Sequence, residues 1–286
     1  MNLLRILTAP QRPLLPVGLV ALALVVSQSA RAQDTPEKEQ LVVALSSPKQ
    51  PGSLHVKQLA GSIHIVGYGG KDVVIDAVTR DNGRRHSPTP PAEANGMRRI
   101  DTANGFELTA VEKDNRVTIR SNAVHQAVDL TIKVPMNFSL QVGTVQQGDI
   151  EIENVTGELE ISNVNGSIRL SQVGGSALLN TVNGELVASF KTVTPNAPMA
   201  FSTVNGKIDV TFPSSLKANL KLKSDMGAVY SDFDVSMQKS PKPTTSAQNG
   251  VYRVSHDTWT YGKVNGGGAE ITLKSLQGNL YVRKAK

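Results

Sequence analysis

The chain contains no cysteine. Disulfides, cysteine-pair zinc sites and lipoprotein acylation through a cysteine are thereby excluded, so stability has to come from packing. Aromatic residues are only 4% of the total, with Trp259 the single tryptophan. Tyr252, Trp259 and Tyr261 form the one aromatic cluster visible in the sequence. Signatures of catalysis are missing too. There is no His-Glu-x-x-His pair and no Gly-x-Ser-x-Gly elbow, and Gly67-Tyr68-Gly69-Gly70-Lys71-Asp72 lacks the spacing and the hydroxyl of a phosphate loop. No enzyme, cofactor or metal is expected.

Long hydrophobic runs are absent beyond Leu14 to Val26, which is shorter than the roughly 20 residues of a membrane span. Arg5 and Arg12 precede this run, and Ser29-Ala30-Arg31-Ala32 follows it with Ala30 and Ala32 in an Ala-x-Ala arrangement. Residues 1–32 therefore read as a secretory signal, with an uncleaved anchor as the alternative. Removing Arg5, Arg12 and Arg31 leaves 27 basic against 24 acidic residues, a net of +3. That excess is too mild to indicate nucleic acid. The expected location is periplasmic or cell-surface in a bacterium, with no span in the mature chain.

What is abundant is glycine at a fixed interval. Gly148, Gly157, Gly166, Gly175 and Gly184 are nine residues apart. Two and four residues after each come Ile150 and Ile152, Leu159 and Ile161, Ile168 and Leu170, Ala177 and Leu179, then Leu186 and Ala188. Polar residues lie between them, which is the period of a half-buried strand. Val155, Val164, Val173 and Val182 follow out of phase, so each unit needs a corner, supplied by pairs such as Glu153-Asn154 and Asn180-Thr181.

Nine residues make a path of about 30 Å, short for a loop closing around a filled core, so two units per coil are preferred. Val-Asn-Gly at Val164 and Val182 is eighteen residues apart, and a third copy at Val204 comes after twenty-two, with Thr194 to Pro198 as a bulging turn. Ile150, Ile168 and Leu186 should then stack, with Glu151 beside Arg169. The competing reading is an antiparallel meander with Asn165-Gly166, Asn183-Gly184 and Asn205-Gly206 as hairpin turns.

The expected fold is all-β, a parallel β-helix-like solenoid over 33–236. Fainter units begin at Gly52 and Gly61, and Asp81 to Arg99 reads as an inserted loop. Residues 237–250 are expected as a second loop, and 251–286 as a terminal coil or cap of the same domain. The Gly-x-Ile-x-Ile-x-Asn-Val pattern from Gly148, Thr-Val-Asn-Gly at Thr181 and Thr203, and Gly266-Gly267-Gly268 with Gly278-Asn279-Leu280 resemble the bacterial putative-adhesin family of β-strand-repeat domains of unknown function. The resemblance spans Leu41 to Lys286 and implies an exported or envelope-attached β-solenoid; it transfers no functional residue.

Candidate ligand-binding residues are Arg84, Arg85, Arg98 and Arg99, which could clamp anionic glycans or lipid headgroups, and Trp259 with Tyr261, which would share one strand face and could stack on a sugar. Their plain alternatives are a solvated loop and a cover for the last coil. The carboxylates Asp149, Glu151, Glu153, Glu158 and Glu160 read as a solvated face. His55 and His64 fall on opposite sheets. Asn165, Asn183 and Asn205 suit a side-chain amide ladder at one corner. The functional expectation is a non-catalytic adhesin-like or scaffold module that binds an envelope component, be it glycan, lipid headgroup or protein. The rivals are a β-helical carbohydrate-active enzyme and a periplasmic accessory of an envelope-stress signalling system.

Overall fold

The computed structural model describes residues 38–80, 107–121, 126–238, 244–248, 251–255 and 258–286. Every element among them is a strand. Strands alone satisfy the sequence, because alternating aliphatic and polar residues can bury one side only with a period of two. The described residues belong to one compact unit, Pro36–Lys286. No helix among them is long and apolar enough to cross a membrane.

Pairing proceeds in two series. The first runs β1 (Lys38–Ala44), β4 (Asp72–Arg80), β7 (Ala127–Pro135), β3 (Ile63–Tyr68), β9 (Ile150–Glu153), β11 (Ile168–Asn180), β12 (Leu186–Val193), β14 (Ile208–Phe212), β22 (Leu280–Lys284) and β16 (Val229–Ser231). The second runs β5 (Leu108–Lys113), β6 (Arg116–Ser121), β2 (Gly52–Ala60), β8 (Phe138–Gln146), β10 (Thr156–Asn163), β11 again, β13 (Met199–Asn205), β21 (Ala269–Gln277), β15 (Ala218–Ser224), β20 (Thr260–Val264) and β17 (Val235–Gln238). Because β11 serves both series, all twenty strands form one continuous sheet folded back on itself. The middle is parallel, and antiparallel pairs occur only towards the two ends.

The register is that of stacked rungs. Ile150 pairs with Ile168, Ile168 with Leu186, Leu186 with Ile208 and Ile208 with Leu280. Each of these five side chains is fully buried. In the facing series Val142, Ile161, Leu179, Phe201 and Leu273 make the corresponding column. Arg169 lies opposite Glu151, as the spacing required. The longer offset from Leu186 to Ile208 is absorbed by an irregular stretch at 194–198, where Asn196 adopts φ 60°. Phe190, Phe201 and Phe212 fill that wider part of the core, with Phe190 and Phe212 stacked at 5.4 Å and Phe201 edge-on to both.

Alternate corners solve the phase change in opposite ways. At Asn154 (φ 57°) and Gln172 (φ 55°) the backbone enters the left-handed region and turns Val155 and Val173 into the core. At the other corner Asn163, Thr181 and Thr203 point inward instead, donating to the carbonyls of Gly148, Gly166 and Gly184 one rung away at 2.8, 2.9 and 3.1 Å. Ser275 does the same to Gly206 at 3.0 Å. The next residue faces out, and Leu59, Val145, Val182, Val204 and Leu276 form an aliphatic ridge, each 36–45% exposed. Asn183 then donates to Asn165 at 2.9 Å and Asn205 to Asn183 at 2.7 Å, the expected amide ladder. These asparagines are joined by parallel bridges, so the Asn-Gly pairs are not hairpin turns.

Two features depart from expectation. The stretch 237–250 is not all loop, because it contains the end of β17 and the whole of β18 (Thr244–Gln248), which pairs antiparallel with β19 (Val251–Ser255). The β-branched Thr244-Thr245 and the intervening Asn249-Gly250 favour such a pair over a loop. The C-terminal segment 251–286 is split: β20 lies outside β15 at the end of the stack, but β21 and β22 do not. Strands β21 and β22 sit between β13–β14 and β15–β16. Likewise β2 and β3 sit between β6–β7 and β8–β9. Sequence order fails here because each end of the stack interleaves segments far apart in the chain.

Candidate functional site

The interior is occupied by packed aliphatic and aromatic side chains, so chemistry has to be sought on the outer faces. Several outward charges there are paired within their own face. Arg169 bridges Asp149 at 2.9 Å and Glu151 at 4.0 Å, Lys207 meets Glu185 at 3.5 Å, and Arg283 holds Asp209 through two bonds of 2.6 and 2.9 Å. The acidic residues do not converge. Glu151 belongs to β9 in the first series and Glu160 to β10 in the second, so they face opposite ways. His64 lies in the first series, 3.5 Å from Glu153, and His55 in the second. Among the described residues no group of three potential metal ligands gathers.

A denser cluster of like charge lies on the outer face of the second series near β15. Lys221 and Lys223 alternate with buried Leu220 and Leu222, so both project outward. Antiparallel pairing puts Tyr261 directly opposite Lys221. Trp259 immediately precedes β20, two residues before Tyr261. The Lys221 ammonium lies 4.9 Å from the centre of the indole and that of Lys223 5.9 Å from it. On the other side of β15, Lys223 pairs with Lys274 of β21, Lys274 with Ser202 of β13 and Ser202 with Asn180 of β11. One row therefore crosses the strands from indole to ammonium groups to hydroxyl to amide.

An open groove of about 300 Å³ takes in the Lys274, Ser202 and Asn180 part of this row, with Thr203, Val204, Asp225 and Leu276 as its other lining residues. Val204 and Leu276 belong to the aliphatic ridge and wall one side. Ser202 donates to Asn180 at 3.0 Å, and Lys223 reaches Asp225 at 3.4 Å. Lys221 and Lys274 add positive charge beyond that pair. The arrangement can stack on an apolar ring face, attract an anion and exchange hydrogen bonds with hydroxyls.

Of the candidates read from the sequence, Trp259 lies just before β20 beneath Lys221 and Lys223 and Tyr261 lies within β20, whereas Arg84, Arg85, Arg98 and Arg99 lie outside the described residues. Sequence reasoning missed Lys221, Lys223, Lys274, Ser202 and Asn180. Their only signal was outward phase on their strands, which dozens of residues share. It also missed a second aromatic pair, Tyr230 and Tyr281 on the first series, stacked at 5.2 Å with the Arg283 guanidinium 5.1 Å from the Tyr281 ring.

No curated protein matches the sequence. Solved structures similar to it include a "putative cell adhesion protein" from Clostridium sporogenes ATCC 15579, at 11% identity and TM-score 0.48, covering 88% of this chain and 100% of that one. A "putative adhesin" from Bacteroides fragilis NCTC 9343 has 11% identity and TM-score 0.36, covering 87% and 97%. Another from Parabacteroides merdae ATCC 43184 has 7% identity and TM-score 0.27, covering 88% and 97%. The profile of the family Toastrack DUF4097 matches residues 129–259, the stretch that holds the regular rungs, the amide ladder and Trp259. Residues 129–259 of this chain are a Toastrack DUF4097 domain.

Proposed function

We propose that the protein is an exported, non-catalytic, adhesin-like binding module or scaffold of the bacterial cell envelope. In this reading residues 1–32 direct export, and the mature chain is a β-solenoid of nine-residue units, two per coil, that holds an envelope component against its outer surface. The observation that carries it is the Trp259 indole beneath the Lys221 and Lys223 ammonium groups, 4.9 and 5.9 Å away, on a rigid sheet face. Such a face offers attraction and stacking, and the carboxylate in contact with it, Asp225, is held by Lys223 at 3.4 Å.

The test is sedimentation of the purified mature protein with isolated bacterial envelopes, with and without residues 81–99, alongside an assay for newly released reducing ends. Co-sedimentation without sugar release is the expected result. Release of reducing ends by the protein would favour the carbohydrate-active enzyme instead. A protein that stays in the supernatant with every envelope preparation would remove the binding role.

A further inference from the structure

Resting on that reading, we propose that the row Trp259, Lys223, Lys274, Ser202 and Asn180 binds a linear acidic polysaccharide, a polymer of uronic-acid type, laid along the groove across the strands. Four observations select this ligand. First, Lys223, Lys274, Ser202 and Asn180 are cross-strand neighbours in register, so this part of the row repeats once per strand. Neighbouring strands are about 4.8 Å apart, so the row offers one functional group per step of that length to a chain with a similar repeat.

Second, the charge fits. Lys221, Lys223 and Lys274 face Asp225 as the acid in contact, 3.4 Å from Lys223, which leaves the row with excess positive charge. Ammonium groups on the flexible stems of lysine suit carboxylates presented at intervals, whereas a bidentate phosphate site would favour arginine. Third, the neutral members are hydroxyl and amide, Ser202 and Asn180, which can serve the hydroxyls of a sugar as both donor and acceptor. Fourth, the groove is a recess of about 300 Å³ walled by Val204 and Leu276, so it presents apolar surface to the C–H faces of pyranose rings. A flat lipid surface would not enter such a recess.

The experiment is affinity electrophoresis and calorimetry of the full mature protein with polygalacturonate, with dextran as the neutral polymer and single-stranded DNA as an unrelated polyanion. Expected is binding to polygalacturonate, weakened at least tenfold by Lys223→Gln/Lys274→Gln and by Trp259→Ala, with none to dextran. Lys113→Gln/Lys133→Gln, an equal change of charge on strands near the other end of the stack, should leave binding within twofold. Thermal melting of each variant separates lost binding from lost folding, and glutamine keeps a polar side chain while removing the charge. Equal binding by all variants, equal affinity for DNA, or no binding to polygalacturonate overturns the proposal. If the wild type still co-sediments with envelopes in that case, the broader binding role survives; if both fail, that role falls as well.

Discussion

The four letters Thr-Val-Asn-Gly carry four separate jobs at one corner. Thr181 faces in and satisfies the Gly166 carbonyl, Val182 faces out, Asn183 continues the ladder, and Gly184 lets the next rung approach. The glycine is required by space. A Cβ on Gly184 would lie 2.1 Å from the Gly166 oxygen and 2.5 Å from its carbon, both backbone atoms that cannot rotate away. Gly184→Val should therefore force the rungs apart and cost about 3 kcal/mol or more, since overpacking costs typically about 1–3 kcal/mol where side chains can yield. Gly69→Ala, with nothing within 4 Å of its added carbon, should be close to neutral. Urea midpoints of the two variants check this, and equal midpoints would refute the stacking of glycine on carbonyl. Tyr68 makes a pH prediction. Burial, then its hydrogen bond to the Asp72 carboxylate and the charge there, push its phenol up from 10.0 to about 12. A raised value means that the neutral phenol stabilises the fold, so this contribution is fully present below about pH 10 and is lost as pH rises through about 12. The stability advantage of the wild type over Tyr68→Phe should shrink across that interval, and a constant difference would show that the phenol does not report on folding.

At the scale of the strand, legibility followed sequence distance. The rungs from β9 to β14 were readable because each unit pairs with another eighteen or twenty-two residues away, and a short repeat writes its own register. Ile150 against Ile168 needed only the period. The ends were not readable, because β2 pairs with β8 and β6, whose residues lie some sixty to eighty-six positions further on, and no local pattern encodes which distant rung is the neighbour. The same limit governs the candidate site. Trp259 was conspicuous as the sole tryptophan, but Lys221 and Lys223 lie more than thirty residues earlier and join it only through antiparallel pairing. The interleaving has a consequence for β21 and β22. Ile271, Leu273, Leu280 and Val282 are all buried between rungs on both sides. Backbone amides of β21 and β22 should thus exchange with deuterium as slowly as those of β9 to β12, although the chain ends only two residues after β22. Rapid exchange there, of the kind expected for a frayed terminus, would contradict the placement.

For the molecule as a whole, interleaving changes how a repeat structure comes apart. In an open stack each rung touches only its neighbours, so the outermost rung can peel away at a cost set by a single interface, and stability is graded along the axis. Here a rung near each end is supplied by a distant part of the chain. Peeling β15 and β16, with β20 and β17 that lie outside β15, uncovers β21 and β22, whose buried side chains are shared with β13 and β14. Each buried aliphatic contributes about 1.5–3 kcal/mol, so exposing the four on β21 and β22 costs on the order of 6–12 kcal/mol. That is comparable with the whole stability of a typical domain, about 5–15 kcal/mol, so partial unfolding from this end gains little over complete unfolding. Trp259 provides the probe, because it is the only tryptophan and lies against β15 near the end in question. Its fluorescence reports the last rungs, while far-ultraviolet circular dichroism reports all strands together. Urea titration of the mature protein should give the same midpoint and slope by both signals. A fluorescence transition at clearly lower urea than the dichroism would show instead that this end frays by itself, as it does in an open solenoid.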